Sequence, residues 1–320
     1  MLAVMTWWTM IRMPGTSYRG ELPAADDTLN LLADELHRDV AQLAGEIGER
    51  NVLRRPRELA QAAAYIEAEF QAAGYDVKRQ DYEVFGSTCS NLEAETPGAA
   101  RPDELVIIGA HYDSVVGTAG ANDNASGVAA LLALARRFSN RKSDRTIRFV
   151  AFVNEEPPYF QTEEMGSRVY ARRCRGRGEK VVAMLSLETI GYYNDARGSQ
   201  RYPPPFSLFY PSTGNFIGVV GNVKSRDLVR RVVGTFRESE PFPCEGGALP
   251  AVVPGIGLSD HWSFWQEGYP AAMVTDTAMF RYPHYHQPQD TIEKVDFDRT
   301  ARVVRGLQAV LTALARAGGV

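Results

Sequence analysis

Three cysteines are all this 320-residue chain has, and Cys89, Cys174 and Cys244 show no metal-type spacing. One pair would suit an oxidising compartment, but the odd count argues against a disulfide framework. Positive charge is in no excess either: 35 Lys and Arg face 39 Asp and Glu, a formal charge of −4. That leaves no basic footprint for nucleic acid. The one basic cluster, Arg168 to Lys180, reads as the exposed face and end of a helix closed by Gly176 and Gly178. No apolar run is long enough to span a bilayer. Met1 to Met13 is apolar, with Trp7 and Trp8, yet lacks a basic start and a small-residue cleavage site. It is expected to be a docked arm, a trimmed start or an interface anchor, within an arm or loop over residues 1–27. There is no internal repeat and no compositional break, so residues 28–320 are expected to form a single domain.

What is present is a set of acids and imidazoles placed at strand ends. Leu105-Val106-Ile107-Ile108 is a short apolar, β-branched run, followed by His111, Asp113 and Asp123. Val128 to Ala135 then reads as a helix. Asn154-Glu155-Glu156 follows the run Thr146 to Val153, and Glu188 follows Val181 to Leu187. His284, Tyr285 and His286 lie in a turn-rich segment near the end of the chain. Open α/β sheets put their chemistry at such strand–loop–helix junctions. Imidazole with carboxylate suits a divalent metal such as zinc. Three carboxylates and two imidazoles, with one carboxylate shared, nearly neutralise a two-metal site, whose ions stand about 3.5–4 Å apart. A further carboxylate is then free to act as a base, and adjacent Glu155 and Glu156 can divide these roles.

Helices are expected over roughly residues 28–49 and 58–73, an edge strand over 76–85 and a partner over 91–95. After the three acid-bearing strands come a surface loop at Tyr202 to Pro205, a strand at 216–220 and a helix at 226–236. A Pro- and Gly-rich wall spans 241–257, then a strand over 270–274 and a closing helix over 297–315. The sum is an α/β protein, a three-layer α/β/α sandwich around a central mixed, mostly parallel sheet.

Each motif alone has an ordinary explanation. N-E-E after a strand is usually a solvated loop, Asp123 would serve as a helix cap, and an apolar setting suits a hydrogen-bonded core histidine at 111. Their order is what those explanations do not produce. H-x-D at His111, N-D-N-A-S-G at Asn122, N-E-E at Asn154, L-E-T-I-G at Leu187, S-D-H at Ser259 and H-x-x-x-D-T at His286 follow in sequence. Together they resemble the family-28 zinc metallopeptidases, which include di-zinc aminopeptidases, glutamate carboxypeptidases and the related glutaminyl cyclases. The match runs from about Ala41 to the end of the chain.

The resemblance implies the zinc exopeptidase fold (phosphorylase/hydrolase-like) and two Zn²⁺ ions per chain. By that likeness His111 and Glu188 hold one ion, Glu156 and His286 the other, and Asp123 bridges both. Glu155 is implied as general base, and Asp113 as the acceptor that fixes the His111 tautomer. Tyr285 precedes the last ligand and is placed to donate to an oxyanion. Asp260 is expected as a helix cap or a member of the hydrogen-bond network near the site. A cis peptide after Asp123 is also common in the family. Glu188 stands where many members have Asp, Gln287 where Thr is common, and residues 157–167 form a longer segment than in the simplest members. A substrate amino group is expected near the metals or an acid such as Glu163 or Glu164. His284 reads as a loop residue and His37 as surface.

The function implied is a metal-dependent exopeptidase, above all an aminopeptidase. Glutaminyl cyclase-like acyl transfer, carboxypeptidase action on small peptides and a non-catalytic binding module are the alternatives. The expected partner is a peptide or small amide, selected by walls at residues 159–165, 192–206 and 244–258. Relatives are often exported, so cytoplasmic and exported locations, and any oligomeric state, stay open.

Overall fold

The computed structural model describes residues 10–318, so the apolar residues 1–9 discussed above lie outside the described residues. Helix α1 (Asp27–Val40) begins where Asp26 caps the Leu29 amide, and a π-helical segment (Ala41–Ile47) extends it. Helix α2 (Pro56–Ala72) has proline at its first turn, where no amide partner is needed. Its buried residues Leu59, Ala62, Ala63, Ile66 and Phe70 recur at helical spacing. The strands β1 (Lys78–Val84) and β2 (Ser87–Thr96) form an antiparallel hairpin. Then come β3 (Arg101–His111), α3 (Gly127–Phe138), β4 (Arg145–Phe152), α4 (Gly166–Gly176) and β5 (Lys180–Glu188).

A small ribbon, β6 (Asn194–Arg197) with β7 (Thr213–Gly214), leads to β8 (Ile217–Asn222), α5 (Arg226–Ser239) and β9 (Cys244–Leu249). The chain continues through α6 (His261–Gln266), β10 (Ala271–Thr275), the short α7 (Ala278–Arg281) and α8 (Phe297–Leu314). The main sheet has eight strands in the order β1-β2-β4-β3-β5-β10-β8-β9. Strands β4, β3, β5 and β10 are mutually parallel, β8 and β9 are parallel to each other, and the remaining pairs are antiparallel. The mixed, mostly parallel sheet read from the sequence is thus present.

Central parallel strands are covered on both faces, which explains their unbroken apolar runs. In β3, Val106, Ile108 and Ala110 join a core with α1, α2, α3, α5 and α8. Leu105 and Ile107 face the other way, toward Tyr170 and Cys174 of α4 and Phe264 of α6. Over β8 and β9 the second helical layer is missing, and loops cover the sheet instead, leaving a cavity.

One expectation needs correction, and another loses one of its two alternatives. Residues 241–257 form the wall foreseen, but they also contain β9. Gly246 and Gly247 hide that strand in the sequence, because glycine is poor in strands. Gly246 is required here, since a Cβ would stand 2.6 Å from Val233 of α5. Asp260 occupies the cap position of α6, yet its side chain makes no cap hydrogen bond. The three cysteines are free and buried. Residues 10–26 dock along the body: Ser17 accepts the Cys244 amide, and Arg237 donates to the Pro14 carbonyl.

A buried charge ties the hairpin to the sheet and α4. Glu93 of β2 accepts from Tyr170 at 2.8 Å and from Arg173 at 2.5 Å, with Arg148 at 3.6 Å. Burial alone would raise its pKa, but Arg148, Tyr170 and Arg173 outweigh that and hold it below the ordinary value. A depressed carboxylate stabilises the fold above its unfolded pKa and loses that contribution as pH falls through the folded value. Glu93→Gln is therefore expected to cost about 3 kcal/mol at pH 7. In urea titrations the gap between wild type and variant should narrow below about pH 4.5.

Candidate metal centre

The parallel strands β3, β4 and β5 end on one rim, and each delivers an acid or an imidazole there. His111 is the last residue of β3, Glu155 and Glu156 follow β4, and Glu188 is the last residue of β5. Asp123 arrives on the loop between β3 and α3, and His286 on the loop before α8. All five expected ligands and the expected base come together. His111 is fully buried, the acids nearly so, and His286 is 29% exposed at its side chain.

The donors form two groups that share one carboxylate. His111 Nε2 lies 3.4 Å from Asp123 Oδ1 and 3.3 Å from Glu188 Oε2. His286 Nε2 lies 3.1 Å from Asp123 Oδ2 and 3.2 Å from Glu156 Oε2. Tetrahedral zinc with bonds of about 2.0–2.1 Å puts its donor atoms about 3.3 Å apart. These spacings therefore fit the ion, and donor atoms of His111, Asp123 and Glu156 lie within 4.8 Å of one another. Both nitrogens of His111, Asp123 Oδ2 and Glu156 Oε1 are buried without a hydrogen-bond partner. Buried polar atoms are normally satisfied, so this cluster of orphans marks a place for a cation.

Protonation tells the same story. Burial opposes charge on His286, but hydrogen bonds to Asp123 and Glu156 lift its pKa to about 10. Asp123 is held below its ordinary value, the two imidazoles outweighing burial. Burial and the nearby Asp123 charge push Glu156 up to about 7. Glu155 is raised well above the usual range by burial, against the pull of His111 and with the push of Glu188 and Glu156. Such a group can take and return a proton. Its Oε2 is 3.8 Å from His111 Nε2.

Neighbouring groups fix these side chains. Asp113 Oδ1 stands 3.5 Å from His111 Nδ1, and its two oxygens accept the Glu155 and Glu156 amides at 3.1 Å each. It thus holds the backbone of the acid pair and lies beside the imidazole. Asn124, not Asp123, caps α3, its Oδ1 accepting the Gly127 amide. The Asp123–Asn124 peptide is cis, as the resemblance implies. Tyr285 stacks on His286 with ring centroids 3.9 Å apart. Burial and the site carboxylates raise its pKa, so the hydroxyl keeps its proton. Asp260 is fully buried, and burial pushes it up to about 7 while His111 opposes.

Other expectations fall outside the site. Glu163 pairs with Arg172 and Glu164 is exposed. His284 packs edge-on against Tyr282, and exposed His37 against Phe297.

Three supporting residues had no role assigned from the sequence. Asp290 accepts the Asn122 and Asp123 amides at 2.9 and 3.0 Å and the Tyr282 hydroxyl at 2.8 Å. Its place in H-x-x-x-D-T was the available signal. Ser259 donates to Glu188 Oε2 at 2.7 Å. Arg50, fully buried, donates to the carbonyls of Tyr112, Gly48 and Gly120 at 2.6, 3.1 and 3.0 Å. Nothing near it in the sequence marks it.

Beside Glu188 and Tyr285 opens a cavity of about 120 Å³. Tyr202, Phe206, Tyr210, Phe216, Met273 and Phe280 give it a mainly apolar wall. Of the walls expected to select substrate, 192–206 and 244–258 contribute, whereas no residue of 159–165 lines this cavity.

A rim of carboxylates and imidazoles on an α/β sheet, with an apolar cavity alongside, defines a metal-dependent hydrolase. Residues 91–311 match the model of Peptidase family M28, and the chain belongs to that family of metallopeptidases. Uncharacterized protein YfbL of Escherichia coli (strain K12) is 40% identical over 262 residues, covering 79% of this chain and 80% of its own length. A probable zinc metalloprotease of Pyrenophora teres f. teres (strain 0-1) is 29% identical over 272 residues. That match covers 73% of this chain, which spans about half of the longer fungal protein (53%). The structure of BSAP, a zinc aminopeptidase from Bacillus subtilis, gives a TM-score of 0.71 at 16% identity, covering 90% of this chain and 96% of that one. A Porphyromonas gingivalis glutaminyl cyclase gives 0.65 at 20% identity, covering 88% and 98%. At such identities the structural likeness establishes the fold alone.

Asp290→Ala removes the acceptor that holds the Asp123 loop. Zinc affinity in chelator competition is expected to fall about 10–100-fold, with the far-UV spectrum unchanged. Unaltered affinity would remove Asp290 from this role.

Proposed function

We propose that the chain is an aminopeptidase that binds two zinc ions and uses Glu155 as its general base. The observation that carries the reading is the division of Asp123: Oδ1 faces His111, which also stands beside Glu188, and Oδ2 faces His286, which also stands beside Glu156. His111, Glu188 and Asp123 would hold one ion, and His286, Glu156 and Asp123 the other. Residues 28–320 are assigned to this catalytic unit, with residues 1–27 as its arm.

Bound zinc supplies Lewis acidity, lowering the pKa of water and polarising a carbonyl. The chain's own groups do the rest. Glu155 takes the proton of the attacking water and returns it to the departing amine, for which a raised pKa is suited. Tyr285 donates its hydroxyl to the oxygen of the tetrahedral species. Asp113 keeps His111 and the Glu155–Glu156 pair in register through the reaction. The apolar cavity beside Glu188 receives the side chain of the substrate's first residue.

Hydrolysis of aminoacyl arylamides, lost when the amine is acetylated, is the expected activity. Cyclisation of an N-terminal glutamine peptide without arylamide hydrolysis would instead establish the cyclase reading. Glu155→Gln should lower kcat by about 10²–10⁴-fold with zinc content retained. Asp123→Ala should lose zinc and activity together; retention of two ions would refute the bridge.

A further inference from the structure

The strand register places a second carboxylate at the far end of the cavity floor. Glu188 of β5 pairs with Thr275 of β10, Thr275 with Gly218 of β8, and Gly218 with Glu245 of β9. Residues paired across strands point to the same face. This row therefore runs from the metal centre across three strand spacings, and all four residues line the cavity. At about 4.7–4.9 Å per spacing, Glu245 lies about 14 Å from Glu188 along the floor. Gly218 leaves a gap in the row: a Cβ there would stand 3.3 Å from Thr275 and Thr277. The floor is thus cleared between Thr275 and Glu245.

Glu245 is the charged residue at the end of this mainly apolar chamber away from Glu188. Its Oε2 pairs with Arg237 of α5 at 3.2 Å, and both side chains are largely buried. Arg237 is itself fixed by two hydrogen bonds to the Cys244 carbonyl, at 2.9 and 2.7 Å. Oε1 takes no hydrogen bond from any described residue. The pair is neutral overall, so the free oxygen is better suited to a neutral donor than to a second cation. The chamber walls include Tyr202 and Tyr210, stacked with centroids 5.6 Å apart at 29°. Flat aromatic surfaces of this kind suit a flat ring.

We propose that Glu245 closes the substrate side-chain pocket and selects a long side chain that ends in a hydrogen-bond donor, namely tyrosine. The inference rests on the aminopeptidase reading above. A leucine side chain anchored beside Glu188 ends over the Gly218 gap. A tyrosine side chain extends roughly 6–7 Å from its α-carbon, and its hydroxyl closes another ~2.8 Å by hydrogen bonding. With the α-carbon about one strand spacing from Glu188, this reach matches the ~14 Å row from Glu188 to Glu245.

The test compares kcat/KM of the zinc-loaded enzyme for the p-nitroanilides of tyrosine, phenylalanine, lysine and alanine. A Tyr/Phe ratio of about ten or more is expected in wild type, falling toward one in Glu245→Leu. Gly218→Val should lower the Tyr/Ala ratio at least tenfold by filling the gap. Calorimetry of tyrosinamide against phenylalaninamide on Glu155→Gln protein should give the same order of preference without turnover. A wild-type Tyr/Phe ratio near or below one, a preference for lysine, or a ratio unmoved in folded Glu245→Leu overturns the proposal. If Glu245→Leu does not fold, the wild-type ratio and the calorimetry decide. Hydrolysis of none of the four overturns the aminopeptidase reading and this inference together, an outcome distinct from hydrolysis without tyrosine preference.

Discussion

Carboxylates crowded into one buried rim are the constraint that the rest of this protein answers. Asp113, Asp123, Glu155, Glu156, Glu188, Asp260 and Asp290 all lie within the interior around two imidazoles. Like charges at such range repel strongly in a medium less polar than water. The fold responds with oriented dipoles. Backbone amides of Glu155 and Glu156 point at Asp113, those of Asn122 and Asp123 at Asp290, and hydroxyls of Ser259 and Tyr282 at Glu188 and Asp290. Arg50 adds a buried cation whose nearest charges are Asp113, Asp290, Asp123 and Glu156, though it touches only carbonyl oxygens among its hydrogen-bond partners. Burial lowers its pKa to about 10, which still leaves it charged at neutral pH. The site is preorganised by parts that never meet a substrate.

That division explains what could be read in advance. That His111, Asp123, Glu156, Glu188 and His286 belong together was legible because their motifs follow one another in the order of the family resemblance. The helices α2 and α8 and the runs of β3, β4 and β5 were legible because burial imposes period and composition. Arg50 was not, because its work is done through carbonyl groups that every residue possesses, three of them 62 to 70 positions away in the chain. Strand β9 was hidden by glycines that contact between layers requires. For Asp260 the sequence left a cap and the network near the site as alternatives, because sequence shows where a residue sits relative to a helix, not where its side chain turns.

The asymmetry of the two sheet faces connects fold to chemistry. Helices α4 and α6 cover one face only as far as β5 and the start of β10. Where that layer stops, the rim of acids and imidazoles and the loop-walled cavity begin, so the two share one continuous surface. The same strands carry a packed core on the reverse face through Ile217, Val219, Ala272 and Val274. A rigid floor is obtained without filling the space above it.

The two ends of the sheet are protected by different means. Strand β1 ends it on one side, and its Lys78, Arg79, Asp81 and Glu83 make that edge an unwelcoming template for another chain. Strand β9 ends it on the other with few charges of its own. There the Cys244 amide is taken by Ser17, its carbonyl by Arg237, and Arg237 in turn grips Pro14. The segment before α1 is therefore a selvedge for the sheet. It takes up backbone groups of strand β9 at Cys244 that an edge strand otherwise offers to a neighbour, a contribution to how the molecule behaves in a crowd rather than to what it does to a substrate.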